Sequence, residues 1–268
     1  MSVIQGALNI GAVELGIAGL FVAAAGGISL LSRLNLGRDL LIGSVRCVVQ
    51  LMAMGYVLRF IFDVESAWIV LGLFCVMVVF AVRIIRGNVK ERQIPFVFPA
   101  FLTMLAVYAV ISAIVTGVIV GATPWWHPQY FIPLAGMVVG NSMTALGLSL
   151  DRLFSDLKAK QEQVEMCLCL GATAREASQE IVRDALKAGM TPSVNSLAGV
   201  GLVFLPGMMT GQILSGSDPV LAIKYQIVVM FMLVASTALT VTAVLHIVRK
   251  RCFGPAQQLL LRPGKSMK

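Results

Sequence analysis

Seven apolar runs, each about the length needed to cross a hydrocarbon core of ~20 residues, dominate the chain: 8–31, 40–62, 67–85, 96–120, 131–150, 194–214 and 223–248. A chain of such runs builds its core against lipid. The expectation is an all-α, polytopic membrane helical bundle of seven transmembrane helices. Composition leaves no soluble alternative, since 58% hydrophobic residues and a mean hydropathy of +0.88 cannot coat a water-facing domain of 268 residues.

An odd number of spans puts the termini on opposite sides, and charge sets which is which. Of the 21 Lys and Arg, all but Arg46, Arg59 and Lys224 fall in four stretches between or after the apolar runs. Cytoplasmic loops carry that excess, which places the N-terminus outside and the C-terminus inside. Trp68, Trp125, Trp126 and Tyr130 then fall at outer ends, at the depth where amphipathic rings anchor. The net charge of +8 is accounted for by this asymmetry, so no nucleic-acid partner is expected. The first run lacks a basic flank and a small-residue cleavage site, and reads as a retained span. The five cysteines of the chain lie in spans, in the inner loop or in the tail, so disulfides are not expected. The tail from 253 onward, with Pro255, Pro263 and terminal lysines, reads as frayed and solvated.

One long polar island, 151–191, interrupts the apolar sequence between spans five and six. Leu150, Leu153, Leu157, Val164 and Leu168 form an apolar stripe broken by Gln161, predicting a helix that projects from the membrane until Gly171 stops it. Ala177, Ile181, Ala185 and Ala188 give the next helix a narrow face of small residues that another protein could approach. Glu165, Gly171 six residues on and Ile181 ten further resemble, in spacing, the cytoplasmic coupling loop of ATP-binding-cassette (ABC) transporter membrane subunits. Met166 and Cys167 stand where that pattern has two alanines, and no Leu-Pro follows Ile181. The competing reading is a solvated helical hairpin.

Polar groups inside spans are costly, and a functional role is the first hypothesis for each. Glu14 lies six residues into the first span and Arg46 six into the second, which enters from the other side. At ~1.5 Å rise per residue they sit ~12 Å apart in depth, which argues against a direct salt bridge. Arg46 and Gln50, one turn apart, either line a cavity or join helices. In span five, Met137, Asn141 and Thr144 share a face. In span six, Pro206 withholds an amide hydrogen and Gly207 adds freedom, marking a hinge, with Met208 and Gln212 one turn apart beside it. Small residues at four-residue spacing, Gly19, Ala23 and Gly27 and again Gly207 and Gly211, predict close helix approach.

Taken together, the run 205–214, with Gly216, Pro219, Ala222 and Tyr225-Gln226-Ile227, Arg46-x3-Gln50-Leu51, Gly140-Asn141-x-Met143 and Leu170-Gly171-Ala172-Thr173, resembles the FetB family of ABC permeases over nearly the whole chain. The resemblance implies a single transmembrane permease domain, 1–268, in the cytoplasmic membrane. It further implies a homodimer that works with a separate ABC ATPase subunit and exports iron. On that reading the coupling residues are Glu165, Gly171, Ala172, Thr173, Glu176 and Ile181. The substrate path is assigned to Glu14, Arg46, Gln50, Asn141, Met143, Met208, Met209 and Gln212, because carboxylate and amide oxygens suit hard cations and thioethers soft ones. No resident metal site is assigned.

No Gly-x4-Gly-Lys-Ser/Thr segment occurs, so ATP and Mg enter only through the partner. The chain itself is expected to bind no cofactor and to be no enzyme, and neither His127 nor His246 has partners at metal-ligand spacing. The alternatives are a gradient-driven cation carrier or channel using Glu14, a scaffold that recruits a soluble protein, and an ABC permease for a sugar nucleotide.

Overall fold

The computed structural model describes residues 11–32, 37–64, 66–89, 91, 93–261. Among them all regular structure is helical: α1 (Ala12–Leu31), α2 (Gly37–Val64), α3 (Ala67–Asn88), α4 (Val97–Ile114), α5 (Pro128–Ala159), α6 (Gln161–Cys169), α7 (Ala174–Ala177), α8 (Gln179–Gly199), α9 (Gly207–Leu214) and α10 (Pro219–Cys252). A π-helical turn, Val115–Ile119, extends α4. Five helices are long and apolar enough to cross a membrane (α2, α3, α4 with its π turn, α5 and α10), and α1 is a shorter apolar helix.

The sixth expected span is not one helix. The chain leaves α8 at Gly199, runs irregularly through 200–206 and re-enters helix as α9. Pro206 is therefore the N-cap of a new helix (φ −66°, ψ 144°) and not a kink inside an old one. The break extends back to Val200 because Gly201 takes a positive φ of 86°, which ends α8 before the proline is reached.

The polar island also differs from a separate hairpin. α5 continues without interruption past Leu150 to Ala159, and α8 begins at Gln179 and continues past Thr191 into the apolar sequence. The apolar stripe of the island changes direction at Lys160, one residue before Gln161, where the backbone leaves helical geometry (φ −104°, ψ 23°). Two helices of ~48 Å and ~30 Å thus join the polar tip to the apolar part of the bundle.

α5 is the axis, packed by α3, α4, α8 and α10. Its buried side chains run from Pro128 to Leu157, and an edge-to-face pair, Phe74–Phe131 at 5.7 Å, locks it to α3. Closest approach is made by Gly189 of α8, where an added Cβ would overlap the Ser149 hydroxyl and lie 2.7 Å from the Ala145 carbonyl oxygen. Among the described residues the glycines singled out in the sequence make no such approach: a Cβ at Gly19, Gly27, Gly207 or Gly211 meets nothing within 4 Å. α1 packs on α2, and α2 touches α5 only lightly, so both present apolar faces outward.

Three contacts gather one end of the bundle. Lys158 of α5 pairs with buried Glu91 at 2.6 Å, Arg251 of α10 donates to the Pro95 carbonyl at 2.8 Å, and the Ala174 amide donates to the Gln257 side chain at 2.7 Å. The tail is folded here, contrary to the frayed segment expected: Phe253 pairs with Leu259, and Phe253 and Leu261 are buried. The remaining expectation for 262–268 lies outside the described residues.

Candidate functional site

The break in the sixth span opens onto a cavity of about 380 Å3 between α5, α8 and α10. Asn141 comes from α5, Ser193 and Ser196 from α8, Pro206, Gly207 and Met208 from the break and α9, and Gln226 and Met230 from α10. The Asn141 amide donates to Ser193 at 3.2 Å and to Thr237 at 2.9 Å, tying three helices at one level. Such interhelical bonds contribute ~0.6 kcal/mol each on average in membrane bundles. Gln226 is 6% exposed, and its Oε1 has no hydrogen-bond partner.

A second cavity of about 220 Å3 lies toward the other end, lined by Gln129, Tyr130, Gln212 and Ser217 among others. Here too an amide oxygen, Oε1 of Gln212, is buried without a partner. Met208 and Val229 line both cavities, and Met208 is the one of the two carried by α9. Its backbone sits in the first turn of α9, just past Pro206, whose carbonyl accepts from the Thr210 amide at 3.0 Å. Movement at the break would therefore carry Met208 with it.

At the polar tip, α6 ends on Gly171 with φ 93°. The Ala172 amide reaches back to the Cys167 carbonyl and the Gly171 amide to that of Leu168, both at 3.0 Å, closing a Schellman cap. Thr173 and Glu176 then form a capping box for α7, with the Thr173 amide donating to the Glu176 carboxylate at 2.8 Å. Those hydrogen bonds, backbone first, hold the Glu176 carboxyl below its ordinary pKa. The Gln257 amide oxygen takes the Ala174 N–H, so the tail hairpin props the same turn.

Residues 12–253 match the uncharacterised protein family UPF0014. The chain belongs to the UPF0014 family. A UPF0014 membrane protein of Synechocystis sp. is 36% identical, covering 85% of this chain and 88% of the relative. The probable iron export permease protein FetB of Escherichia coli is 35% identical over 94% of this chain and 96% of its own length. Protein ALUMINUM SENSITIVE 3 of Arabidopsis thaliana is 38% identical over 78% of this chain and 76% of its own. No solved structure matches. The family, its relatives and the apolar helices make this a multi-pass membrane protein.

Within this UPF0014 chain the residues singled out by sequence separate into groups. Asn141, Pro206, Gly207 and Met208 meet at the larger cavity, Gln212 lies in the smaller, and Met209 lines a neighbouring apolar pocket with Leu205 and Phe231. Met143 packs against the core away from the cavities. Glu14 is exposed in the first turn of α1, where a carboxylate complements the helix dipole, and Arg46 and Gln50 are exposed on α2. None of the three lines either cavity. Gly171, Thr173, Glu165 and Glu176 are exposed and Ala172 half-buried around the tip. Ile181 is buried in the chain's own core, and with Ala185 and Gly189 it packs inward, so the small-residue face is already occupied by α5. Gln226 and Met230 were not singled out as site residues; Gln226 stood inside a recognised sequence motif, but its cavity position depends on the direction of α10.

Proposed function

We propose that this chain is the membrane permease subunit of an ABC transporter, driven by a separate ATPase docked at the turn around Gly171, and that it exports iron across the cytoplasmic membrane. The observation that carries the reading is mechanical continuity. α8 starts at the capped turn and ends at the break that lines the larger cavity, so a push on the turn is delivered ~30 Å away by one helix. α5 runs alongside from the same tip to Asn141. Pro206, Gly207 and the positive-φ Gly201 supply the joint at which that push changes which cavity Met208 closes. ATP and Mg belong to the partner; this chain holds no cofactor.

The same break supports a homodimer. Leu202 and Val203 are 93% and 83% exposed on irregular backbone, ~12 Å below the far end of α9. Lipid does not tolerate uncovered irregular backbone at that depth, so a second copy covers it. The iron assignment and the outward direction come from the likeness to the E. coli permease. The cytoplasmic side for the tip, with N-terminus out and C-terminus in, rests on the clustering of basic residues at that end. A carrier using Glu14 is disfavoured because that residue lines neither cavity.

The test is reconstitution of the chain with its cognate ATPase in proteoliposomes and measurement of iron(II) movement. ATP-dependent flux that requires both polypeptides is expected. Flux that persists with the ATPase omitted would abolish the proposal.

A further inference from the structure

We infer that the cavity between α5, α8 and α10 is a binding site for a soft or borderline transition-metal cation of low charge, held by the sulfurs of Met137, Met208 and Met230 and the amide oxygen of Gln226, and that it discriminates against trivalent hard cations. The inference rests on the permease reading for what the site is for, and it adds the ligand set and the charge state of the cargo.

Three methionines line one cavity of about 380 Å3, one from α5, one from α9 and one from α10. Methionine commonly fills gaps in apolar cores. Here the space is not filled, and the wall also carries Gln226, whose Oε1 is buried with no hydrogen-bond partner. An acceptor kept out of water without a donor is costly and marks a place for a donor or a cation. The Asn141 side-chain nitrogen donates to Ser193 and Thr237, and among the oxygens lining the cavity Oε1 of Gln226 is buried without a partner.

The wall contains no Asp, Glu, Lys, Arg or His. Among the described residues no group of three or more His, Cys, Asp or Glu could hold a metal elsewhere. A neutral set of thioethers and an amide oxygen offers polarisable and dipolar ligands but no counter-charge. Thioethers favour soft and borderline ions, whereas hard trivalent ions demand anionic oxygen. The cost of removing an ion from water rises with the square of its charge, and neutral dipoles in a low-dielectric site offset a low charge far better than a threefold one. Weak, neutral ligation also lets the ion leave, as transport requires.

The experiment uses the purified full-length chain in nanodiscs without any ATPase, under anaerobic conditions, titrated with iron(II), silver(I) and aluminium(III). One saturable site per chain is expected for iron(II) and silver(I), with a sulfur shell around bound silver by X-ray absorption, and no competition from aluminium(III). Met208→Leu and Met230→Leu, near-isosteric changes, should each weaken binding roughly tenfold or more. Gln226→Leu should weaken iron(II) more than silver(I), and Gln226→Glu should admit aluminium(III). Aluminium(III) displacing iron(II) at equal concentration, unchanged affinity in Met208→Leu, or no saturable site would overturn the inference. If Met230→Leu fails to fold, Met208→Leu alone decides. A chain that binds metal as described yet never associates with an ATPase would sink the permease reading and leave this site standing.

Discussion

Gly189→Ala tests the α5–α8 contact on which force transfer depends. The new Cβ would overlap the Ser149 hydroxyl, which can rotate away, and would lie 2.7 Å from the Ala145 carbonyl oxygen, which cannot. Comfortable carbon contacts begin near ~3.5 Å, so the helices must part by roughly 0.8 Å. Overpacking of this kind costs ~1–3 kcal/mol. Ser193 lies one turn further along α8, and its 3.2 Å bond from Asn141 has little room to stretch, adding ~0.6 kcal/mol if it is lost. Thermal unfolding of the purified chain, followed by loss of monodisperse material on size exclusion, should show a clear fall in Tm. Gly147→Ala, at a position where a Cβ meets nothing within 4 Å, should leave Tm unchanged or slightly raised by ~1 kcal/mol of helix propensity. A Gly189→Ala chain as stable as its parent would refute the close approach and, with it, the transmission of a push through α8.

Pro206→Ala should leave assembly with the ATPase intact while lowering ATP-driven flux, because the joint is lost and the tip is not; equal loss of both would assign Pro206 to packing. Gly171→Ala must hold a left-handed conformation at a cost of ~1–2 kcal/mol, loosening the tip, and Gly171→Arg should also release the ATPase in a pull-down. The Glu176 carboxyl is depressed in the folded chain, so its cap is fully present above the ordinary carboxylate pKa of about 4.3 and is lost as pH falls through the lower folded value. Hydrogen exchange at the Thr173 amide should accelerate over that acid range in the parent and should already be fast at neutral pH in Glu176→Ala. Gln257→Ala should speed exchange at Ala174 and leave Thr173 protected.

The sequence was most legible where a residue lacks alternatives. Pro206 cannot donate an amide hydrogen, and Gly171 stands where φ must be positive, so both marked real ends of helices. Depth arithmetic placed Glu14, Arg46 and Gln50 at plausible levels but carries no azimuth, and all three lie away from the cavities. Azimuth also decided the small-residue stripes: Gly19 and Gly211 have the spacing for close packing, yet an added Cβ there meets nothing within 4 Å among the described residues, whereas Gly189, the true contact, sits in a polar stretch where hydropathy draws no attention. The tail was misread because its ordering comes from two short apolar contacts, at Phe253 and Leu261, and a long-range bond from Ala174, none of which has a period. Gln226 has the same explanation, since an unpartnered oxygen is a property of its surroundings.

The central claim is best tested by one cysteine. Thr173→Cys in an otherwise cysteine-free chain puts a thiol on the exposed capped turn. A membrane-impermeant maleimide should fail to label it in intact cells, should label it in inside-out vesicles, and should be blocked there when the ATPase is bound. Labelling in intact cells, or labelling in inside-out vesicles that the bound ATPase does not reduce, would contradict the account.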